Sequence, residues 1–224
     1  AGLKLRAEIL RLSNMGNDSL ITIEKNEIII SNQGKRQKID LSALQLIENN
    51  YVIVAEETYD PPTTSLDENG QGIPYAVYGY GAQMAEITVD TELGLLKIDK
   101  ITAAHDLGKT INPLLAEGQI EGGIAQGIGF ALMEEYIPSK TENLHDYLIP
   151  SIGDVPEIES ILIEKNDPEG PFGARGLGEH VLIPTAPAIM NALRNATGAI
   201  ITKLPALPDR ILEAIEISKN GSSK

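Results

Sequence analysis

A run of glycines that ends in a carboxylate is the stretch of this sequence best suited to chemistry. Residues 170–180 are Gly-Pro-Phe-Gly-Ala-Arg-Gly-Leu-Gly-Glu-His, so Gly178 directly precedes Glu179. Glycine has no Cβ and allows its backbone to approach another group closely. Because apolar residues 181–183 follow, we expect the Glu179 carboxylate to be poorly solvated, which makes a carboxylate a better base near neutral pH. The alternative interpretation is a surface turn in which Glu179 only begins the next helix.

A second unusual stretch has the hydrophobic period of a helix but is rich in glycine. Its apolar residues recur every four positions, at Ile120, Ile124, Ile128 and Leu132. Five glycines lie within the same stretch, at positions 118, 122, 123, 127 and 129. At roughly 1 kcal/mol each relative to alanine, they would destabilise the helix by about 5 kcal/mol. We infer that some contact requires a backbone without side chains there.

Two amides are predicted to share one face of this helix with some of the glycines. The spacing that predicts this face is that of Gln119, Gly122, Gln126 and Gly129. Such a face suits a flat ligand, and it equally suits tight packing against another backbone. A dinucleotide-binding or P-loop interpretation fails, because the Gly-x-Gly-x-x-Gly order and a Gly-Lys-Ser/Thr ending are both missing.

Composition excludes several classes of function. The formal net charge of −14 argues against nucleic-acid binding, which depends on basic groups that neutralise phosphates. Since the sequence has no cysteine, it offers no disulfide, no thiolate zinc site and no ligands for an iron–sulfur cluster. No apolar run reaches the roughly 18 residues of a membrane span, and the N-terminus has no signal-peptide pattern. We therefore expect a cytoplasmic protein.

The N-terminal residues predict a small α+β lobe over residues 1–50. Its expected elements are an amphipathic helix over 1–12, strands over 20–24, 27–31 and 35–40, and a helix from Asp40 or Ser42 through Ile47. No residue in this lobe suggests chemistry.

The predicted second domain spans residues 51–219 and contains both unusual stretches. Its expected elements are a strand over 51–58, a long loop over 60–74, a hairpin of strands over 82–89 and 95–104, a helix over 114–136 capped by Asn112, a strand over 158–164, a helix over 185–195 with Thr185 as N-cap, and a last helix that begins at Pro208. Residues 220–224 are expected to form a polar tail. The predicted fold class is α+β, with mixed sheets and packed helices.

The other ionisable residues do not predict a metal site formed by protein ligands. The three histidines, His105, His145 and His180, have no partner three or four residues along the chain, and no carboxylate–histidine set has the spacing of metal ligands. We interpret His105 and His145 as loop histidines with satisfied hydrogen bonds. Arg175 is expected to form a structural ion pair.

These stretches resemble the molybdenum hydroxylases, the family of xanthine dehydrogenase, aldehyde oxidase and carbon monoxide dehydrogenase. Residues 170–179 and the following Leu-Ile-Pro-Thr-Ala-Pro-Ala at 182–188 are similar to the family's C-terminal signature. Residues 121–129 resemble its Glu-Gly-Gly-x-x-Gln-Gly-x-Gly segment, and residues 143–150 resemble its Asn-x-x-x-Tyr-x-Ile-Pro segment. The resemblance implies the second molybdopterin-binding domain of the xanthine dehydrogenase type.

The resemblance also implies roles for individual residues. Glu179 matches the active-site base beside molybdenum, and Gln126 matches a glutamine that contacts the molybdopterin cofactor. The glycines implied at the same cofactor are Gly123, Gly127, Gly129 and Gly178. The family often has proline where this chain has His180, so the resemblance assigns that histidine no role.

By the same resemblance, the chain would be a molybdopterin-binding subunit of a multi-subunit oxidoreductase. The enzyme would hydroxylate an electron-poor carbon, in an N-heterocycle or an aldehyde, with water as the oxygen source. The family's other cofactor contacts precede the part matched here, which implies a molybdopterin, in the cytosine dinucleotide form, shared with a larger molybdopterin-binding subunit. Nicotinate dehydrogenase is divided in this manner. Separate 2Fe–2S and FAD subunits would complete the hetero-oligomer.

Two other functions are compatible with the same sequence features. One is a non-catalytic assembly or cofactor-holding subunit of such a complex, in which the glycines serve packing alone. The other is a cofactor-insertion or storage protein that uses the same fold without turnover. The complete glycine signature before Glu179 favours the enzyme.

Overall fold

The computed structural model of the chain describes residues 1–221. Its contacts divide the chain into two compact units, Ala1–Pro61 and Pro62–Lys224. The sequence placed this boundary at residue 50, and the contacts place it after Pro61. The last helix continues to Gly221, past the predicted start of the polar tail at residue 220, and residues 222–224 lie outside the described residues.

The N-terminal unit is one helix on a small antiparallel sheet. The helix α1 (Gly2–Ser13) precedes the strands β1 (Leu20–Glu24), β2 (Glu27–Asn32) and β3 (Lys35–Asp40), which pair in the order β1-β2-β3. Ile9 and Leu10 of the helix pack on Ile28 and Ile30 of the central strand. The predicted helix and three strands are confirmed.

Two predictions for the region after β3 are wrong. The helix expected through Ile47 is a single 3-10 turn, Leu41–Ala43, in which the Ser42 N–H donates to the Asp40 side chain. The strand expected over 51–58 is an irregular segment. Its alternating pattern was insufficient, because a strand also needs a neighbouring strand to pair its backbone N–H and C=O groups.

The second unit is built on a mixed sheet of three strands. These are β4 (Tyr80–Asp90), β5 (Leu95–Asp106) and β6 (Glu157–Ile163), in the order β4-β5-β6. The β4–β5 hairpin is antiparallel with an irregularity between Glu86 and Ile87, and β6 runs parallel to β5. On the central strand β5, Ile101, Ala103 and His105 alternate onto one fully buried face.

Three helices complete this unit, namely α2 (Pro113–Leu132), α3 (Thr185–Thr197) and α4 (Pro208–Gly221). The Asn112 side chain caps α2 as predicted, and Gly198 ends α3 in the left-handed conformation. Thr185 is not the N-cap of α3: Pro184 occupies that position, and the Thr185 hydroxyl donates to the Gln83 side chain instead. Across residues 1–221, no helix is both long enough and apolar enough to cross a membrane.

The main core lies between the sheet and α2. Ile120, Ile124 and Ile128 are buried against the strand residues Ile98 and Ile101, which confirms the four-residue hydrophobic period. A second cluster packs α4 on the end of α3. The α+β class with mixed sheets and packed helices is therefore confirmed.

The hairpin turn between β4 and β5 depends on a glycine for two reasons. Gly94 has φ +69°, and a Cβ there would contact the carbonyl group of Pro208 and lie 2.9 Å from Leu212 Cγ. Gly70 also has a positive φ, of +74°, but a Cβ there would have no atom within 4 Å. Backbone strain is thus shared by the two positions, while the steric clash occurs only at Gly94.

We expect Gly94→Ala to lower the free energy of unfolding by about 1–3 kcal/mol more than Gly70→Ala, because overpacking adds to the same φ strain. Urea unfolding of the two variants measures the difference. Equal losses would show that the start of α4 moves away from the turn without a free-energy change.

Candidate functional site

Glu179 lies at the end of the glycine loop, directly before a single 3-10 turn, His180–Leu182, that leads toward α3. Its side chain is exposed and has no hydrogen bond or ion pair with residues 1–221. The expected poor solvation of this carboxylate is therefore wrong for the chain as it stands. Neighbouring apolar residues failed to cover it because Val181 points into the core and Ile183 is itself exposed. Desolvation of Glu179 requires a group from outside these residues.

Close packing brings the turn after Glu179 against helix α2. A Cβ on Gly123 would lie 2.8 Å from Val181 Cβ, and a Cβ on Gly127 would lie 2.8 Å from Thr185 Oγ1. Both distances are shorter than a Cβ contact allows, so α2 approaches the turn this closely only with glycine at these positions. Packing within the chain thus explains two of the glycines predicted at a cofactor, and their contact with a cofactor stays a prediction.

Gly129 is also explained by packing, on a different side of α2. A Cβ there would contact the Glu134 carboxylate and lie 2.8 Å from Pro150 Cδ. Tyr147 donates to the same carboxylate at 2.6 Å, which ties the loop before β6 to the end of α2. Gly129 is therefore buried, and it does not extend the open face on which its spacing had placed it. The chain folds back over Gly129 in this way, and the helix ends at Leu132 instead of residue 136.

The rest of that predicted face is open. Gln119, Gly122 and Gln126 are all exposed on α2. A Cβ added at Gly118 or Gly122 would have no atom within 4 Å. Glycine at these two positions lowers the stability of the helix, and no contact within the described residues offsets this cost.

The glycine loop, like α2, has some glycines at which an added Cβ would clash and others at which it would not. A Cβ on Gly170 would contact the Ala174 carbonyl group, whereas Gly176 and Gly178 have nothing within 4 Å. Gly176 and Gly178, on either side of Leu177 and close to Glu179, are therefore glycines that no contact within the described residues requires. We group the open positions of α2 and of this loop under one name, the open glycine surface: Gly118, Gln119, Gly122, Gln126, Gly176 and Gly178.

A buried ion-pair cluster holds the first half of the loop. Arg175 Nη1 lies 2.8 Å from Asp106 Oδ2 at the end of β5, and Arg175 Nε lies 2.9 Å from Asp167 Oδ2. The three side chains are between 9% and 13% exposed, so water screens the pairs little. Burial alone raises the pKa of Asp167, but the N–H groups of Glu169 and Gly170 and the Arg175 guanidinium together hold it below its usual value. The structural ion pair expected for Arg175 is thus present.

A buried polar chain holds the turn after Glu179. His105 Nδ1 lies 3.1 Å from His180 Nε2, and His105 Nε2 lies 3.3 Å from the amide nitrogen of Gln83. Gln83 also donates to the Val181 carbonyl at 2.8 Å. Burial, and then the neighbouring His180, lower the pKa of His105 to about 4. Burial also lowers the pKa of His180, while a hydrogen bond to the Gly176 backbone acts in the opposite direction.

Of the two histidines predicted to lie in loops, His145 does so and His105 does not. His145 is an exposed loop residue, as expected, and its backbone N–H donates to Asn143. His105 is not in a loop but on the buried face of β5, and its period-two position after Ile101 and Ala103 was the signal that could have shown this. Within residues 1–221, no group of three or more histidine and carboxylate side chains could hold a metal ion.

The sequence of the chain matches the family described as "Molybdopterin cofactor-binding domain" over residues 1–156. This chain belongs to the molybdenum hydroxylase family. Xanthine dehydrogenase molybdenum-binding subunit from Escherichia coli O157:H7 is 41% identical over 145 residues, which cover 62% of this chain and 19% of that protein.

Solved structures give the same assignment. The aldehyde oxidoreductase from Desulfovibrio gigas matches 69% of the chain and 17% of its own length, with 42% identity and a TM-score of 0.66. The Cu,Mo-CO dehydrogenase matches 97% of the chain and 28% of its own length, at 20% identity and a TM-score of 0.65, which is evidence for the fold alone. The chain spans between about a sixth and about a quarter of the length of these proteins.

The open glycine surface of this molybdenum hydroxylase chain fits a pterin cofactor. No contact within residues 1–221 requires its glycines, and a planar group lying on the backbone would require them. The Gln126 amide can both donate and accept hydrogen bonds, as the ring atoms of a pterin require. Among the predicted residues, only Gln126, Gly178 and Glu179 are exposed, while Gly123, Gly127 and Gly129 are buried by packing against other parts of the chain. Gln83 and Asp106 were missed because their partners are distant in the sequence, and Asp167 was missed although its partner Arg175 is only eight positions away.

We expect Arg175→Met to lower the free energy of unfolding by about 3–5 kcal/mol, because it leaves two buried carboxylates without their cation. The matched control is Lys97→Met, which removes an exposed pair with Asp99 and should cost less than about 1 kcal/mol. Urea unfolding at neutral pH measures both. Similar losses in the two variants would contradict a tight buried cluster.

Acid should destabilise the chain through His105. The unfolded chain protonates this histidine near pH 6.5 and the folded chain only near 4, so stability falls as the pH drops through that window. Between pH 7 and pH 5 we expect a loss of about 2 kcal/mol in the native chain that His105→Asn does not show. The carboxylates titrate alike in both proteins, so the difference isolates His105. A His145→Asn variant should keep the native slope, and a His105→Asn variant that also keeps it would contradict the shift.

Proposed function

We propose that this chain supplies the catalytic base and part of the cofactor surface of a molybdenum hydroxylase. The observation that supports this is the set of open glycines that includes Gly178 beside Glu179: within residues 1–221, no contact requires these glycines and the Glu179 carboxylate has no hydrogen bond or ion pair. The proposed reaction is hydroxylation of an electron-poor carbon, in an N-heterocycle or an aldehyde, with water as the oxygen source.

The residues of the chain divide this work between them. When bound, the molybdenum cofactor supplies the two-electron redox chemistry, which no side chain here offers. Gln126 hydrogen-bonds the pterin through its amide, and Gly122 and Gly178 let the backbone come close. A carboxylate oxygen of Glu179 accepts the proton released from the oxygen that enters the substrate. With the cofactor and its protein surroundings in place, Glu179 would be shielded from water, which is the desolvation that a carboxylate base needs.

The proposal requires partners. We propose a larger molybdopterin-binding polypeptide that contacts the same cofactor, in its cytosine dinucleotide form. The electrons then leave through 2Fe–2S and FAD subunits, since this chain has no cysteine for an iron–sulfur cluster. The relative from Escherichia coli is itself named as a molybdenum-binding subunit, which supports a complex of several chains. A cytoplasmic location stays a prediction from the sequence.

We expect Glu179→Gln to lower kcat by about 10²–10⁴-fold with the molybdenum content of the complex unchanged, because the amide keeps the shape but cannot take the proton. The complex is purified natively, its molybdenum, iron and flavin are measured, and turnover is assayed with purine, pyridine and aldehyde substrates. Glu216→Gln, an exposed change on α4, serves as the control.

Each outcome of this experiment separates the candidate functions. Near-normal turnover in Glu179→Gln would indicate a non-catalytic assembly or cofactor-holding subunit instead. Loss of molybdenum together with turnover would make Glu179 a cofactor-binding residue and would remove its assignment as the base.

A further inference from the structure

The buried polar chain beside Glu179 is not used by the proposed function. It runs from Gln83 in β4 through His105 in β5 to His180, the residue that follows Glu179. His105 is fully buried, and a buried polar chain of this kind is retained only if its hydrogen bonds are satisfied. The contacts determine the direction of each of these bonds.

The orientation of the Gln83 amide comes first. Its nitrogen lies 2.8 Å from the Val181 carbonyl oxygen, which can only accept. Its oxygen accepts from the Thr185 hydroxyl at 2.8 Å. The reverse orientation would place two oxygens against each other at the first contact. The second N–H of Gln83 is therefore free to donate to His105.

The tautomers of both histidines follow from this amide. Since His105 Nε2 accepts from Gln83, the neutral ring carries its proton on Nδ1. That proton is donated to His180 Nε2 at 3.1 Å, so His180 in turn carries its own proton on Nδ1. The hydrogen bonds are therefore donated by Gln83 to His105 and by His105 to His180, and neither ring is charged.

The strand β4 and the residue before it leave a slot of matching shape for the two rings. A Cβ on Gly79 would lie 2.7 Å from His180 Nδ1, and a Cβ on Gly81 would lie 2.5 Å from His105 Cε1. Side chains at these positions would displace the rings. The turn is thus held at two neighbouring residues, by the His180 ring and by the Val181 carbonyl, and both connect to Gln83.

We propose that His105 is a positioning residue for the base: with Gln83 it holds the His180 turn in one place and thereby fixes where Glu179 presents its carboxylate. This inference rests on the proposed function of Glu179. The sheet is the rigid element in the arrangement, and the exposed carboxylate has no hydrogen bond or ion pair within residues 1–221 to orient it.

The first test is the tautomer pattern, which NMR of the ¹⁵N-labelled full chain at pH 7 can measure. The sequence has only three histidines, and the exposed His145 serves as the internal reference. We expect His105 and His180 to carry protons on Nδ1 and not on Nε2. Protonation of Nε2 in either ring would overturn the proposed direction of these hydrogen bonds.

The second test compares two amides in place of His105 in the purified complex. The amide of His105→Asn places an N–H group near the position of Nδ1, whereas that of His105→Gln places one near Nε2. We expect His105→Asn to retain most of kcat and His105→Gln to lose about 10–100-fold at unchanged KM, because a displaced base affects the transition state but not substrate binding. All rates are expressed per bound molybdenum, and His145→Gln is the control.

The outcomes separate this inference from the function on which it rests. Equal kcat per molybdenum in the Asn, Gln and native complexes would reduce His105 to a purely structural role. A parallel rise in KM would indicate a substrate contact instead of positioning. If Glu179→Gln is inactive while His105→Gln is normal, the proposed function stands and only the positioning role falls. If Glu179→Gln turns over normally, both fall.

Discussion

The approach of helix α2 to the turn after Glu179 is the contact on which the site depends. It is possible only because residues 123 and 127 have no side chains, which lets Val181 and Thr185 pack directly on the helix backbone. The same contact buries Val181 completely and leaves the preceding residue, His180, facing the sheet. A methyl group at either glycine would push the turn away from α2. The open face of the helix and the carboxylate would then lose their common support.

Glycine serves two different purposes in this chain, and only the structure separates them. Gly123, Gly127 and Gly129 are filled by side chains of the chain itself, whereas Gly118, Gly122, Gly176 and Gly178 have open space in front of them. Packing within the fold requires glycine at the positions of the first group. No contact within residues 1–221 requires glycine in the second group, which is the pattern expected where a ligand or another chain approaches the backbone.

Local signals in the sequence predicted the elements well, and long-range contacts limited the rest. The β4–β5 hairpin, the Asn112 cap and the period of α2 are read from neighbouring residues, so they could be predicted. The strand over 51–58 was wrong because pairing depends on a partner that the pattern does not show. For the same reason the site was predicted as Glu179, Gln126 and a set of glycines, without Gln83 or Asp106. These two residues act through partners 98 and 69 positions away.

The short segment that carries the exposed Glu179 is held in place on both sides. Arg175, four residues before it, is tied to two buried carboxylates, and His180, directly after it, is tied to the histidine and glutamine of the sheet. Between these anchors, a Cβ added at Gly176 or Gly178 would have no atom of the described residues within 4 Å. A segment this short cannot move far when both ends are fixed. The chain therefore determines the place of the carboxylate, while the burial that would make it a strong base comes from whatever covers the open glycine surface.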